Sequence, residues 1–107
     1  MRKLLIILVI GCITAGAALA QTARPGDAGL GDPYFPLLGN GGYDVQHYTI
    51  DLTADVEDNT VLATVTIDAV ATQALSAFNL DFLGFFVADV TVNGKRVVYE
   101  RDGREMT

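Results

Sequence analysis

From Tyr48 the side chains alternate with a period of two: Tyr48, Ile50, Leu52, Ala54 and Val56 share one phase, and His47, Thr49, Asp51, Thr53 and Asp55 share the other. Successive side chains of a strand point to opposite faces, so this pattern predicts a half-buried β-strand. Glu57-Asp58-Asn59 interrupts it with a polar break. Val61, Ala63, Val65, Ile67 and Ala69 then alternate with Leu62, Thr64, Thr66 and Asp68, which predicts a second strand returning antiparallel to the first.

A shorter strand is expected around Phe78, Leu80 and Phe82, with Asn79 and Asp81 on its other side, its aromatic side in the core, and Gly84 closing it. The strongest local signal is Asn93-Gly94 between two β-rich runs, since both residues tolerate the positive φ of a type I′ turn. A tight hairpin there sets Val90 opposite Val97 and Ala88 opposite Tyr99, with Thr91 and Asp89 across from Arg96 and Val98. Arg101-Asp102-Gly103 reads as a further turn, and Glu105-Met106-Thr107 as a strand that has only begun.

Residues 21–42 carry no apolar period and are rich in Gly, Pro and Asp, so they are expected to form an extended leader over the surface or to be disordered. Residues 1–20 have the three parts of a secretory signal peptide. Met1-Arg2-Lys3 is the positive region, Leu4 to Ile10 the apolar run, and Ala18-Leu19-Ala20 the cleavage signature before Gln21. The apolar stretch from Leu4 to Ala20 is shorter than the ~20 residues that span a bilayer, although an uncleaved anchor is an alternative. Val9-Ile10-Gly11-Cys12 resembles a lipobox, but cleavage before Cys12 leaves an apolar core at the short limit for export. A membrane partner therefore requires either an uncleaved signal or a lipidated Cys12.

The expected fold is all-β: an antiparallel β-sandwich or saddle-like sheet over residues 43–107, incomplete at its C-terminal end. So short a β segment buries a small core and leaves an open sheet edge, which a missing remainder would cover.

Charge narrows the choice of partners. From Gln21 onward Arg24, Lys95, Arg96, Arg101 and Arg104 stand against thirteen Asp and Glu, a net charge eight units negative. That argues against nucleic acid and against anionic membrane surfaces. The same segment has no cysteine, so neither a disulfide nor a thiolate metal site belongs to its design. The expected location is extracytoplasmic, secreted or in a bacterial cell envelope.

Motifs that carry catalysis are missing from the sequence, which has no H-E-x-x-H, no Gly-rich phosphate loop and no nucleophile elbow. His47, the single histidine, lies on the polar phase of the first strand, and one imidazole makes neither a metal centre nor an acid–base pair. Asp55, Glu57, Asp58 and Asn59 could attract calcium, but their spacing fits no EF-hand loop and suits a turn better. Tyr34, Phe35 and Pro36, beside Gly39-Asn40-Gly41-Gly42, offer either an aromatic platform for sugar or peptide or, as the preferred reading, anchors that pin the leader to the β core. No catalytic, cofactor-binding or metal residue is assigned.

Gly31-Asp32-Pro33-Tyr34-Phe35-Pro36, followed by Leu38-Gly39-Asn40-Gly41-Gly42-Tyr43-Asp44-Val45-Gln46-His47-Tyr48, resembles the entry to bacterial aminopeptidase N family proteins, which are gluzincin-type zinc peptidases. The likeness continues through Thr49 to Leu52, Leu80-Asp81-Phe82-Leu83-Gly84 and Val90-Thr91-Val92-Asn93-Gly94. The resemblance implies a saddle-shaped β domain preceding a thermolysin-like catalytic domain, which would be its partner. In that domain H-E-x-x-H and a downstream Glu hold zinc, and G-x-M-E-N grips the free amine of peptide substrates. None of those residues occurs here, so zinc and catalysis are expected in the missing part of the parent.

A second reading is a stand-alone extracytoplasmic β-sandwich binding module, an adhesin or carbohydrate binder. It would explain export and acidity equally well.

Overall fold

The computed structural model describes residues 20–107. The signal peptide expected over residues 1–20, apart from Ala20, and the lipidation alternative at Cys12 lie outside the described residues. Within them there is no helix, and the described part of the chain is all-β. Nine strands follow in order: β1 (Arg24–Pro25), β2 (Tyr43–Asp55), β3 (Thr60–Ala71), β4 (Leu75–Ala77), β5 (Leu80–Asp81), β6 (Thr91–Val92), β7 (Lys95–Arg96), β8 (Arg101–Asp102) and β9 (Glu105–Met106). They make four small sheets, β1-β4, β2-β3, β5-β9-β8 and β6-β7.

The two long alternating runs form the antiparallel ribbon β2-β3. Its turn is local chemistry: Asp55 Oδ1 accepts from the amides of Glu57 and Asp58, both at 3.0 Å, and Asn59 takes φ 52°. Asp and Asn serve such positions because the short side chain stands in for backbone. Tyr48 pairs with Ile67, Ile50 with Val65, Leu52 with Ala63 and Ala54 with Val61, while Thr49, Asp51 and Thr53 pair on the reverse face with Thr66, Thr64 and Leu62.

β2 begins earlier than the even-numbered phase alone suggests, and a bulge makes that possible. Val45 pairs with Ala69 and His47 with Asp68, leaving Gln46 as the extra residue. A bulge sets two residues against one. The apolar phase therefore passes from the odd positions Tyr43 and Val45 to the even positions Tyr48 and Ile50 without changing face.

The Asn93-Gly94 hairpin forms as expected. Asn93 and Gly94 take φ 50° and 75°, Thr91 pairs with Arg96, and the Val97 amide donates to the Val90 carbonyl at 3.0 Å. Beyond Val90 and Val97 the regular ladder stops. There Asp89 meets Arg96 in an ion pair at 2.9 Å, and the Tyr99 hydroxyl donates to the Val87 carbonyl at 2.8 Å.

Three features differ from the local expectation. Arg24–Pro25, inside the leader, forms a parallel pair with β4, secured by Arg24 N to Ala74 O at 3.0 Å and Gly26 N to Ala77 O at 2.9 Å. The strand expected around Phe78, Leu80 and Phe82 is split into β4 and β5, because Asn79 between them is buried and bonds across the fold. The nascent strand at the C-terminal end, β9, is the centre of its sheet, pairing with both β5 and β8.

The packed region gathers where these short elements meet. Met106 is 8% exposed and Asn79 7%. Asn79 Nδ2 donates to Gly26 O at 3.1 Å, its Oδ1 accepts from Thr107 Oγ1 at 2.6 Å, and its carbonyl accepts from the Tyr43 hydroxyl at 2.6 Å. Three distant parts of the sequence thus close on one side chain and its backbone. Gly26 and Gly42 are needed there: a Cβ on Gly26 would collide with the Gly41 carbonyl, and Gly42, at φ 97°, would drive one into Leu75. Tyr43 and Phe78 complete the corner edge to face, with ring centroids 5.9 Å apart.

Candidate functional site

One candidate surface is the apolar face of the ribbon. Val45, Tyr48, Ile50, Leu52 and Ala54 on β2 align with Val61, Ala63, Val65, Ile67 and Ala69 on β3, and no charged residue interrupts them. The sequence places this face in a core, yet Ile50 is 61% and Leu52 56% exposed among the described residues. The pairing rule fixes which side chains share the face, but it does not supply a second layer. Large exposed apolar patches are uncommon on folded monomers, which makes this face a candidate interaction surface. The acids of the ribbon, Asp44, Asp51, Asp55 and Asp68, lie on the reverse face, so the apolar face carries no charge of its own.

A second feature is a row of carboxylates across the three-stranded sheet. Glu105 on β9 stands directly opposite Asp81 on β5 and Asp102 on β8. The Gly39 amide donates to Asp81 Oδ2 at 2.7 Å. With the Asn40 amide turned to suit its neighbours, its nitrogen faces Glu105 Oε2 at 3.3 Å and its oxygen accepts from the Asp81 amide at 3.0 Å. Glu105 Oε1 is inaccessible to solvent and has no hydrogen-bond partner among the described residues. Partial burial, followed by the charge of Asp81 and a hydrogen bond shared with it, raises the Glu105 carboxyl above the usual range, with Arg104 opposing. The Tyr43 hydroxyl is raised too, chiefly by burial and then by Tyr48, Asp81 and Glu105.

An apolar groove of about 390 Å³ lies between β4 and the β6-β7 hairpin, lined by Leu75, Phe78, Leu80, Val90, Val97 and Met106 among others.

The residues weighed for chemistry are not brought together. His47 sits on the polar face of the ribbon opposite Asp68. Asp55, Glu57 and Asp58 are engaged in the turn described above. Tyr34 is 86% exposed, and its amide and that of Phe35 both donate to Asp32 Oδ1 at 2.8 Å. Neither ring is buried against the β core, contrary to the anchoring role expected from sequence, because Asp32 organises this turn locally.

Among the described residues no three His, Cys, Asp or Glu side chains are grouped so as to hold a metal ion. Residues 20–107 contain one histidine and no cysteine. No helix of the described residues is long and apolar enough to cross a membrane.

The carboxylate row and the Asn79 junction carry no signal in the sequence alone. Asp81 and Glu105 lie far apart in the chain and only the register of β9 aligns them. A polar residue inside the Phe78-Asn79-Leu80 run is the one hint available for Asn79. No family model, curated protein or solved structure matches this chain.

Proposed function

We propose that this chain is a non-catalytic scaffold segment, the opening part of the amino-terminal β domain of an exported aminopeptidase N-type zinc peptidase. Its parent removes amino-terminal residues from peptides. The observation that carries the reading is the uncovered apolar face of β2-β3, which suits a piece whose second layer is another part of the same protein. In the complete domain that layer closes a β-sandwich or saddle on Tyr48, Ile50, Leu52, Val65 and Ile67.

The resemblance over Gly31 to Tyr48 and at Val90-Thr91-Val92-Asn93-Gly94 supports the family. Residues 1–20 act as the export signal, residues 21–42 lead into the domain, and the mature protein is extracytoplasmic. Zinc, the general base and the grip on the substrate amine belong to the parent's catalytic domain, against which this segment packs.

Reading the gene past the codon for Thr107 tests the assignment. An H-E-x-x-H codon series in the same frame supports it, and an unrelated continuation overturns it. Zinc-dependent hydrolysis of an amino-acid anilide by this chain alone would sink the non-catalytic reading. A soluble, cooperatively unfolding monomer that binds glycan would favour the stand-alone binding module.

A further inference from the structure

The chain holds four asparagines, Asn40, Asn59, Asn79 and Asn93, and two of them, Asn40 and Asn93, precede glycine. In an Asn-Gly pair the glycine amide nitrogen can close a five-membered ring on the asparagine side-chain carbonyl carbon, and with no Cβ on the glycine nothing screens the approach. As dipeptides the two are identical, and the structure sets them apart.

At Asn93 the reacting groups are open. Asn93 and Gly94 are both exposed, and among the described residues neither the Asn93 side chain nor the Gly94 amide makes a hydrogen bond. A Cβ built on Gly94 would meet nothing within 4 Å. The turn is closed by two ladder pairs, Thr91 with Arg96 and Val92 with Lys95, and by the bond from the Val97 amide to the Val90 carbonyl. So short a tip opens locally without disturbing the Asn79 corner.

At Asn40 the same groups are occupied. The Gly41 amide donates to the Asp27 carbonyl at 2.8 Å, and a Cβ on Gly41 would come within 3.1 Å of the Asp27 side chain. The Asn40 amide itself lies between Glu105 and Asp81. Asn59 shares the exposure and left-handed backbone of Asn93, with φ 52°, but its neighbour is Thr60, whose branched Cβ crowds the amide and whose backbone pairs with Asp55. Asn79 is buried and bonded to Gly26 and Thr107.

We propose that Asn93 is a self-modification site: attack by the Gly94 amide converts it to isoaspartate and unfastens the β6-β7 hairpin, while Asn40 in the same dipeptide stays intact.

The Gly94 nitrogen gives its proton to hydroxide and bonds to Asn93 Cγ. The Cγ–Nδ2 bond breaks, and Nδ2 leaves as ammonia with a proton from water. Water then opens the resulting succinimide on one of two sides. Breaking the bond from the Gly94 nitrogen to Cγ leaves aspartate, and breaking its bond to the Asn93 main-chain carbonyl carbon leaves isoaspartate. Asp-Gly suits a type I′ turn as well as Asn-Gly does. Isoaspartate instead routes the main chain through Cγ, and the added carbon breaks the register of a two-residue turn. Val90 and Val97, which line the apolar groove, then lose their mutual bond.

Ageing the purified full chain at mildly alkaline pH, with and without urea, tests the site, each asparagine being followed by peptide mass and isoaspartate mapping. In the folded chain Asn93 should be converted about tenfold faster than Asn40, the factor for one hydrogen bond that must break before attack. In urea the two rates should converge, because only the fold separates them. By NMR the isoaspartyl product should lose hydrogen-exchange protection at the Val97 amide. Asn93→Asp, which adds the charge without the carbon, should keep it. Equal rates at Asn40 and Asn93 in the folded chain, or a difference that survives urea, overturns the proposal. So does a Val97 amide that stays protected in the isoaspartyl product, or one that loses protection equally in Asn93→Asp.

Discussion

The Tyr43 hydroxyl donates to the Asn79 carbonyl at 2.6 Å, joining the first residue of the long ribbon to the point where β4 gives way to β5. The bond is possible because the Gln46 bulge keeps Tyr43 on the apolar side of the ribbon, toward Phe78. A shift in the sequence pattern thus becomes a tertiary contact.

Asn79→Ala should lower stability more than any exposed substitution in the chain. It strands the Gly26 carbonyl and the Thr107 hydroxyl, each of which loses its side-chain bond. Leaving buried polar groups unpaired costs about 1–3 kcal/mol. Denaturant unfolding followed by circular dichroism measures this; an unchanged midpoint would mean that the junction does not hold the elements together.

Tyr43→Phe keeps the ring contact with Phe78 and removes one hydrogen bond, so a loss of about 0.5–1.5 kcal/mol is expected. The same variant should delete the last tyrosine step in an ultraviolet titration. Burial and the neighbouring acids raise the Tyr43 hydroxyl, so its stabilising effect persists below the ordinary tyrosine range and disappears as pH rises through its native transition. If the late step persists in Tyr43→Phe, it belongs to another tyrosine.

Ile50→Asp and Leu52→Asp should scarcely alter the stability of this chain, since both side chains are more than half exposed and such surface changes fall within about 0.5 kcal/mol. They should reduce binding of an apolar dye and lower self-association in sedimentation. A large loss of stability would show that the face is covered in solution.

Deleting Gln46 should preserve the ribbon. Val45 opposite Ala69 and His47 opposite Asp68 become consecutive pairs of a regular ladder, with every apolar residue still on its face. Cross-strand nuclear Overhauser contacts between Tyr48 and Ile67 check the register. Their loss would mean that the bulge sets more than the phase.

The ribbon and the Asn93-Gly94 hairpin were legible because their causes are local: alternation within a run, and a turn whose two residues accept positive φ. The same logic gave the leader only an extended course, within which Arg24–Pro25, with no period of its own, becomes a strand by borrowing the edge of β4. It misjudged β9, which reads as a beginning and is a centre. The carboxylate row was invisible for a related reason, since Asp81, Asp102 and Glu105 meet only through two registers set by packing.

What the sequence determined by itself is the all-β character, the position of the two clearest turns and the residues that share each face of the ribbon, because φ preferences and side-chain alternation act between near neighbours. The tertiary structure decided which strands adjoin, that Asn79 gathers Gly26, Tyr43 and Thr107, and that Glu105 is set between two acids. Those outcomes depend on hydrogen bonds and charges between residues distant in the chain, and no local pattern encodes the distance between them.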